Sequence, residues 1–319
     1  MGENCGVSGS SPKNAHENCG SGRRLHHGQV GWLSSRNSET DAHVLPAFRR
    51  GLNRQGYVES RNVTIEYRWS DTQDDQLPAF AADLLRRQVA VLVAVGNATS
   101  MARAITTTIP IVSAAASPDI VSSFRSPGGN VTGVYPNLGA LGGKRIGLLR
   151  DVLPRATTIA VLLTPSGASS REGTDAQEAA RVLGLQIKLF IAGIDRELDA
   201  ALASLAPMRP DALTVPPGPL FFTRADKIVA AAEQLAIPAM YFRREFALVG
   251  GLMSYGTNTD ETFQGMGEYT GRILKGEKPS DLPIQQPTSF EFVINLKTAK
   301  ALGLTIPPGI RAIATEVIE

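Results

Sequence analysis

Beyond His43 the chain contains no histidine, and beyond Cys19 no cysteine. All four His (His16, His26, His27, His43) and both Cys (Cys5, Cys19) of its 319 residues stand in the first 43. The body therefore has no imidazole or thiol for Ser-His-Asp or Cys-His nucleophilic catalysis. Zinc sites built on Cys or His, and internal disulfides, are excluded from it on the same count. An excess of one charge is also missing: 32 Lys+Arg stand against 30 Asp+Glu, a net charge of +2, which argues against a dedicated nucleic-acid binder. No run approaches the ~18 apolar residues of a membrane span. No G-x-G-x-x-G follows a strand, and no G-x-x-x-x-G-K-[ST] occurs. Gly142-Gly143-Lys144-Arg145 falls inside a helical pattern without the flanking residues of that loop. No cofactor and no metal is expected.

The first 28 residues are rich in Gly, Ser, Asn and His, with Met1, Val7 and Leu25 as their only large apolar side chains. They lack the 7–15-residue apolar core of a signal peptide, at about that length in known leaders. Glu-Asn-Cys-Gly occurs twice, at Glu3–Gly6 and Glu17–Gly20. Cys and His there could hold a metal, but the spacing matches no ordinary zinc module. The segment reads as a disordered or non-native leader, too poor in apolar surface to order itself.

From Gln29 onward the sequence alternates short apolar strands with amphipathic helices. Val30–Leu33 reads as a strand. Ser38 or Thr40 would cap the next helix, whose Val44, Leu45, Phe48 and Leu52 share a face. Val89–Val95 is a continuous apolar run, as a parallel strand covered on both faces requires. The strand–helix pattern restarts after Tyr135. Two runs of it predict an α/β protein with two doubly wound parallel-sheet lobes joined by a hinge. The first lobe is expected over 29–136 plus about 254–283, and the second over 137–253 plus about 284–319.

In doubly wound sheets, ligands bind beyond the carboxyl ends of the strands. The first lobe offers Ser34 and Ser35, then Gly96, Asn97 and Thr99, then Ser117 and Asp119, with Tyr135 at the crossing. The second lobe offers Thr164, Ser166, Pro217 and Phe221 (with Phe222 beside it), then Tyr241, Arg243 and Tyr255. Hydroxyls and helix-start amides suit a carboxylate. Asp119 or Glu245 could pair with an ammonium, and the aromatic rings could wall an apolar pocket. The same Ser, Thr and Asn could equally be helix caps, and Arg243 with Glu245 a surface ion pair.

Several ordered segments carry a resemblance. They include Gly31-Trp-Leu-Ser-Ser-Arg, Ala47-Phe-Arg-Arg-Gly-Leu and Asn62-Val-Thr-Ile-Glu-Tyr-Arg-Trp. Further along come Pro127-Gly-Gly-Asn-Val-Thr-Gly-Val, Gly250-Gly-Leu-Met-Ser-Tyr-Gly and Tyr269-Thr-Gly-Arg-Ile-Leu-Lys-Gly. From about Val30 to Glu319 the chain resembles the ABC-transporter substrate-binding proteins that include tryptophan- and tyrosine-type members. The resemblance implies a type I periplasmic-binding-protein fold. It implies a monomer that captures a small organic ligand, such as an amino acid, an aromatic or another small carboxylate, in the interlobe cleft. It also implies a periplasmic or extracytoplasmic location, an ABC permease with its ATPase as partners, and no enzymatic activity. The loops at Ser34-Ser35, Gly96–Thr99 and Ser117–Asp119 would hold the ligand's polar end. Pro118-Asp119 inverts the family's usual order, and Thr164-Pro165-Ser166-Gly167 replaces its Asn-rich loop. A ligand-sensing domain and a carboxylate-dependent enzyme on the same fold are the competing readings.

Overall fold

The computed structural model describes residues 28–136, 141–165 and 167–319, the side chains of 167–172 excepted. The expected leader and Ser166 lie outside the described residues.

The chain opens with β1 (Gly28–Ser34), α1 (Ser38–Ala42), α2 (Leu45–Arg54), β2 (Val63–Trp69), α3 (Leu77–Arg86), β3 (Val91–Val95), α4 (Ala98–Ile105), β4 (Ile111–Ser113) and β5 (Val131–Gly133). These strands form one five-stranded sheet in the order β2-β1-β3-β4-β5, parallel at every pairing. Every residue of β3 is buried, because helices cover both faces. α2 packs Phe48 and Leu52 on one face, and α3 and α4 pack Leu84, Ala98 and Ala102 on the other. Asn37, rather than Ser38 or Thr40, caps α1, its side chain accepting from Thr40 N at 2.9 Å. The expected single helix breaks at His43 and resumes at Leu45, with Pro46 in the first turn of α2, where its missing N–H has no partner to lose.

The second run comprises α5 (Gly142–Val152), β6 (Thr158–Leu163), α6 (Gly167–Val182), β7 (Gln186–Ile191), α7 (Asp195–Met208), β8 (Ala212–Val215), α8 (Pro219–Thr223), α9 (Ala225–Gln234), β9 (Ala239–Tyr241), α10 (Arg244–Leu248) and β10 (Met253–Thr257). After α11 (Thr259–Leu274) follow β11 (Phe290–Asn295), α12 (Leu296–Ala301), α13 (Pro308–Ala312) and β12 (Glu316–Ile318). The second sheet has seven strands in the order β12-β11-β10-β9-β8-β6-β7. It is parallel except at β10–β11, which run antiparallel.

The chain passes between the sheets three times: after Pro136, at Asn258 and at Ser289. The stretch from 254 to 257, expected in the first lobe, is strand of the second sheet. The stretch after 283, expected in the second lobe, still lies along β5: Gln285 N donates to Gly133 O at 3.0 Å, and Tyr135 N donates to Gln285 O at 2.8 Å. In both cases backbone pairing decides, and apolar pattern alone does not show which strand a segment will join. Two of the passages run side by side, with Asn258 N donating to Ser289 O at 3.0 Å. α11 returns to the first lobe and packs Phe263, Met266 and Tyr269 into its core.

Candidate functional site

The two sheets face each other across the carboxyl ends of β1 and β9. Arg36 follows directly on Ser34-Ser35 at the end of β1. It is 6% exposed, and its guanidinium lies 4.1 Å from the Phe222 ring centroid, on the second lobe. Arg243, after β9, approaches the same ring at 4.9 Å. Two cations, one from each lobe, thus converge on one aromatic ring. Arg243 is tied to Glu245 by a two-pronged ion pair, with Nε donating to Oε2 at 2.8 Å and Nη2 to Oε1.

Arg36 is held more loosely. Its Nη1 lies 3.6 Å from Asp41 Oδ1, an ion-pair contact longer than a hydrogen bond. Neither its Nε nor its Nη1 has a hydrogen-bond partner. Asp41 Oδ2 is engaged by two indoles, accepting from Trp32 Nε1 at 2.8 Å and from Trp69 Nε1 at 3.0 Å. Burial pushes Arg36 down to about 10, opposed by Asp41 and reinforced by Arg243. Desolvation disfavours a cation that lacks full compensation.

This stack divides the space between the lobes. An inner cavity of about 50 Å3 is bounded by Arg36, Ala114 and Pro136, by Thr257, Thr259, Thr262 and Phe263, and by Phe222, Phe242 and Arg243. An outer chamber of about 180 Å3 includes Asn37, Glu39, His43, Asp226 and Glu245. The inner wall therefore offers three aromatic rings, three threonines and two guanidiniums. Pockets that hold drug-sized ligands measure roughly 300–1,000 Å3, so the lobes must separate to admit one and the two arginines must yield space.

Of the described residues singled out in the sequence, Arg243 and Phe222 line the inner cavity. The hydroxyls at the first lobe's strand ends bind their own loops. Ser34 Oγ accepts from Arg36 N at 3.1 Å, Ser35 Oγ accepts from Asn97 N at 3.1 Å, and Thr99 Oγ1 shares a 2.7 Å bond with Ser113 Oγ. Gly96 is fixed by Ser35: at φ +67° it is left-handed, and a Cβ there would meet Ser35 Oγ at 2.1 Å. Asn97 Nδ2 donates to Asp74 Oδ2 at 2.6 Å. Ser117 O accepts from Ile120 N at 2.9 Å, turning the loop after β4. Asp119 is exposed, its carbonyl accepting from Arg103 at 3.4 Å. Tyr135 packs on Phe124 with ring centroids 5.2 Å apart.

In the second lobe, Thr164 and Pro217 are buried, and Thr164 lies against Gly218. Phe221 is fully buried in the lobe core, so the wall of the cleft falls to its neighbour Phe222. The first turn of α8 rotates consecutive side chains to different faces. Tyr241 stacks on Phe246 at 4.7 Å between centroids and borders a separate groove between α9 and α12. Tyr255 packs beside Phe290 and Phe292 on the sheet. The Arg243–Glu245 pair, open to reading as a surface contact, is interior. Sequence reasoning missed Arg36, Asp41, Phe242 and Phe263. The available signal was a charged residue and then an acid five positions on, immediately past the first strand.

The family model of ABC transporter substrate binding proteins matches residues 40–318. The chain belongs to this family. A relative of this substrate-binding protein from Clostridioides difficile (strain R20291), described as a tyrosine-binding protein, is 23% identical over 263 residues, covering 81% of this chain and 75% of the relative. Among solved structures, an ABC domain in complex with L-Trp from Streptococcus pneumonia superposes with a TM-score of 0.83 at 23% identity, covering 92% of this chain and 100% of that one. A ligand-free, open substrate-binding protein with adhesive properties from Clostridium difficile gives 0.65 at 22% identity, covering 92% and 99%. These likenesses establish the type I periplasmic-binding-protein fold for the substrate-binding protein described here.

Proposed function

We propose that this protein captures a small organic carboxylate, an amino acid or an aromatic acid, between its lobes and delivers it to a membrane permease driven by a separate ATPase. The observation that carries the reading is the interlobe cavity, where aromatic rings and two cations from opposite lobes converge. The ligands of its relatives, tyrosine and L-Trp, are in keeping with such a site. The protein acts outside the cytoplasm as a monomer, without nucleic acid and without catalysis. Among the described residues the inner wall presents no pair of carboxylates across the cavity, which an acid–base enzyme on this fold would use. The loops carrying Ser34-Ser35, Asn97, Thr99 and Ser117 frame the first lobe's side of the cleft.

A thermal-shift panel of amino acids, aromatic acids and short-chain carboxylates tests the reading. A ligand at about 100 times its dissociation constant adds about 2.7 kcal/mol of stability. Turnover of a panel member, with no shift from any of them, overturns it.

A further inference from the structure

We propose that the solute is an aromatic or apolar carboxylate that carries no ammonium group, and that Arg36 and Arg243 hold its carboxylate between the closing lobes. This rests on the solute-binding reading and narrows it.

The charged side chains lining the inner cavity are Arg36 and Arg243, and no acid lines it among the described residues. The remainder of the wall is Phe222, Phe242, Phe263 and threonines, which suits a ring or an alkyl chain. Arg36 is buried with Nε and Nη1 unpartnered. A guanidinium presents its N–H groups in a planar fork that matches a carboxylate. The nearest acid, Asp41, has one oxygen occupied by two indole N–H groups and stands 3.6 Å from Arg36. Arg243 gives Nε and Nη2 to Glu245, leaving Nη1 outside that pair.

Closure brings these two cations toward one ring from opposite lobes, and like charges at that range oppose it. A carboxylate set between them turns the repulsion into attraction. The anion is then bound more tightly by the closed form than by the open one, as any ligand that drives closure must be. An ammonium in the same cavity would lie beside two guanidiniums, with no acid among the described lining residues to offset it. Asp119, the sequence's candidate partner for an ammonium, is exposed and does not line the cavity. Glu39 and Asp226 line the outer chamber.

The test is calorimetric titration of the full chain with three ligands sharing one skeleton: 3-phenylpropionate, L-phenylalanine and 3-phenylpropionamide. The expected order puts 3-phenylpropionate first by about tenfold or more, the scale of a hydrogen bond to a charged group. Arg36→Gln should weaken the carboxylate by about ten- to a hundredfold and leave the amide unchanged, and Arg36→Lys should restore part of the loss. L-Phenylalanine binding as tightly as 3-phenylpropionate overturns the proposal, as does an Arg36→Gln protein with undiminished carboxylate affinity. If Arg36→Gln does not fold, the comparison of the three ligands on the unaltered protein decides alone. Preference for an amino acid over 3-phenylpropionate overturns this proposal while leaving the small-carboxylate reading standing. Failure of every ligand in a broad panel overturns both.

Discussion

Asp41 is the residue on which the first lobe's charged centre depends. It is buried, takes two indole N–H bonds and faces Arg36. Asp41→Ala would strand two indole donors and a buried cation together. We expect a loss of about 3–5 kcal/mol, the scale for removing one partner of a buried pair, read as a lowered midpoint in urea unfolding. Glu245 makes a second prediction. Burial pushes its carboxyl up, but the charge of Arg243 and the hydrogen bonds from it pull harder and set it below the ordinary glutamate range. A lowered acid contributes stability above the unfolded value of about 4.3 and loses it as pH falls through the folded value. Acid unfolding should therefore show a component below about pH 4 that Glu245→Gln removes. The positions of the polar strand-end loops were legible in the sequence, and their roles were not. Ser35 accepts from Asn97 N and Thr99 pairs with Ser113, and only three-dimensional packing reveals that these hydroxyls are already bonded. The decisive side chain, Arg36, stands beside them in the same motif. Its burial depends on Phe222 and Asp41, which lie 186 residues later and five residues later in the chain.

At the scale of elements, α2 and α11 cross with glycine on both sides. A Cβ at Gly51 would meet Gln264 O at 2.0 Å, and one at Gly267 would meet Phe48 O at 2.1 Å. Backbone atoms cannot swing aside as a side chain can, so Gly267→Ala must push the helices apart. A cost of about 1–3 kcal/mol is expected, seen as a lower unfolding temperature with no change in the ligand ranking. Strand and helix alternation was legible because parallel strands covered on both faces, such as β3, must be apolar throughout. The assignment of β10 and of the segment after 283 was not. Both are decided by hydrogen-bond partners remote in sequence, and β11 adds an antiparallel neighbour where a parallel one was expected.

For the whole molecule, the lobes touch beyond the cavity as well. Arg224 holds Asp195 in its own lobe at 2.7 Å and reaches Asp71 of the first lobe at 3.6 Å. Asp71 is half exposed, and such pairs contribute about 0–1 kcal/mol. Asp71→Asn should therefore weaken ligand binding by no more than about fivefold, and the effect should fade as salt rises toward 0.5 M or so, where screening shortens its reach. Titration at two ionic strengths checks this. A larger, salt-independent loss would mean that the contact shapes the closed form in another way.

The late return of α11 bears on how the protein is made. The first sheet is complete once β5 has emerged from the ribosome, but the helix that covers Trp32 and Phe48 (through Phe263 and Met266) is translated only after most of the second sheet. At about 5–20 residues per second, that face of the nascent first lobe stays bare for on the order of ten seconds. During synthesis it is an apolar surface for chaperones to shield, and a lobe cut off at residue 136 would keep it bare permanently.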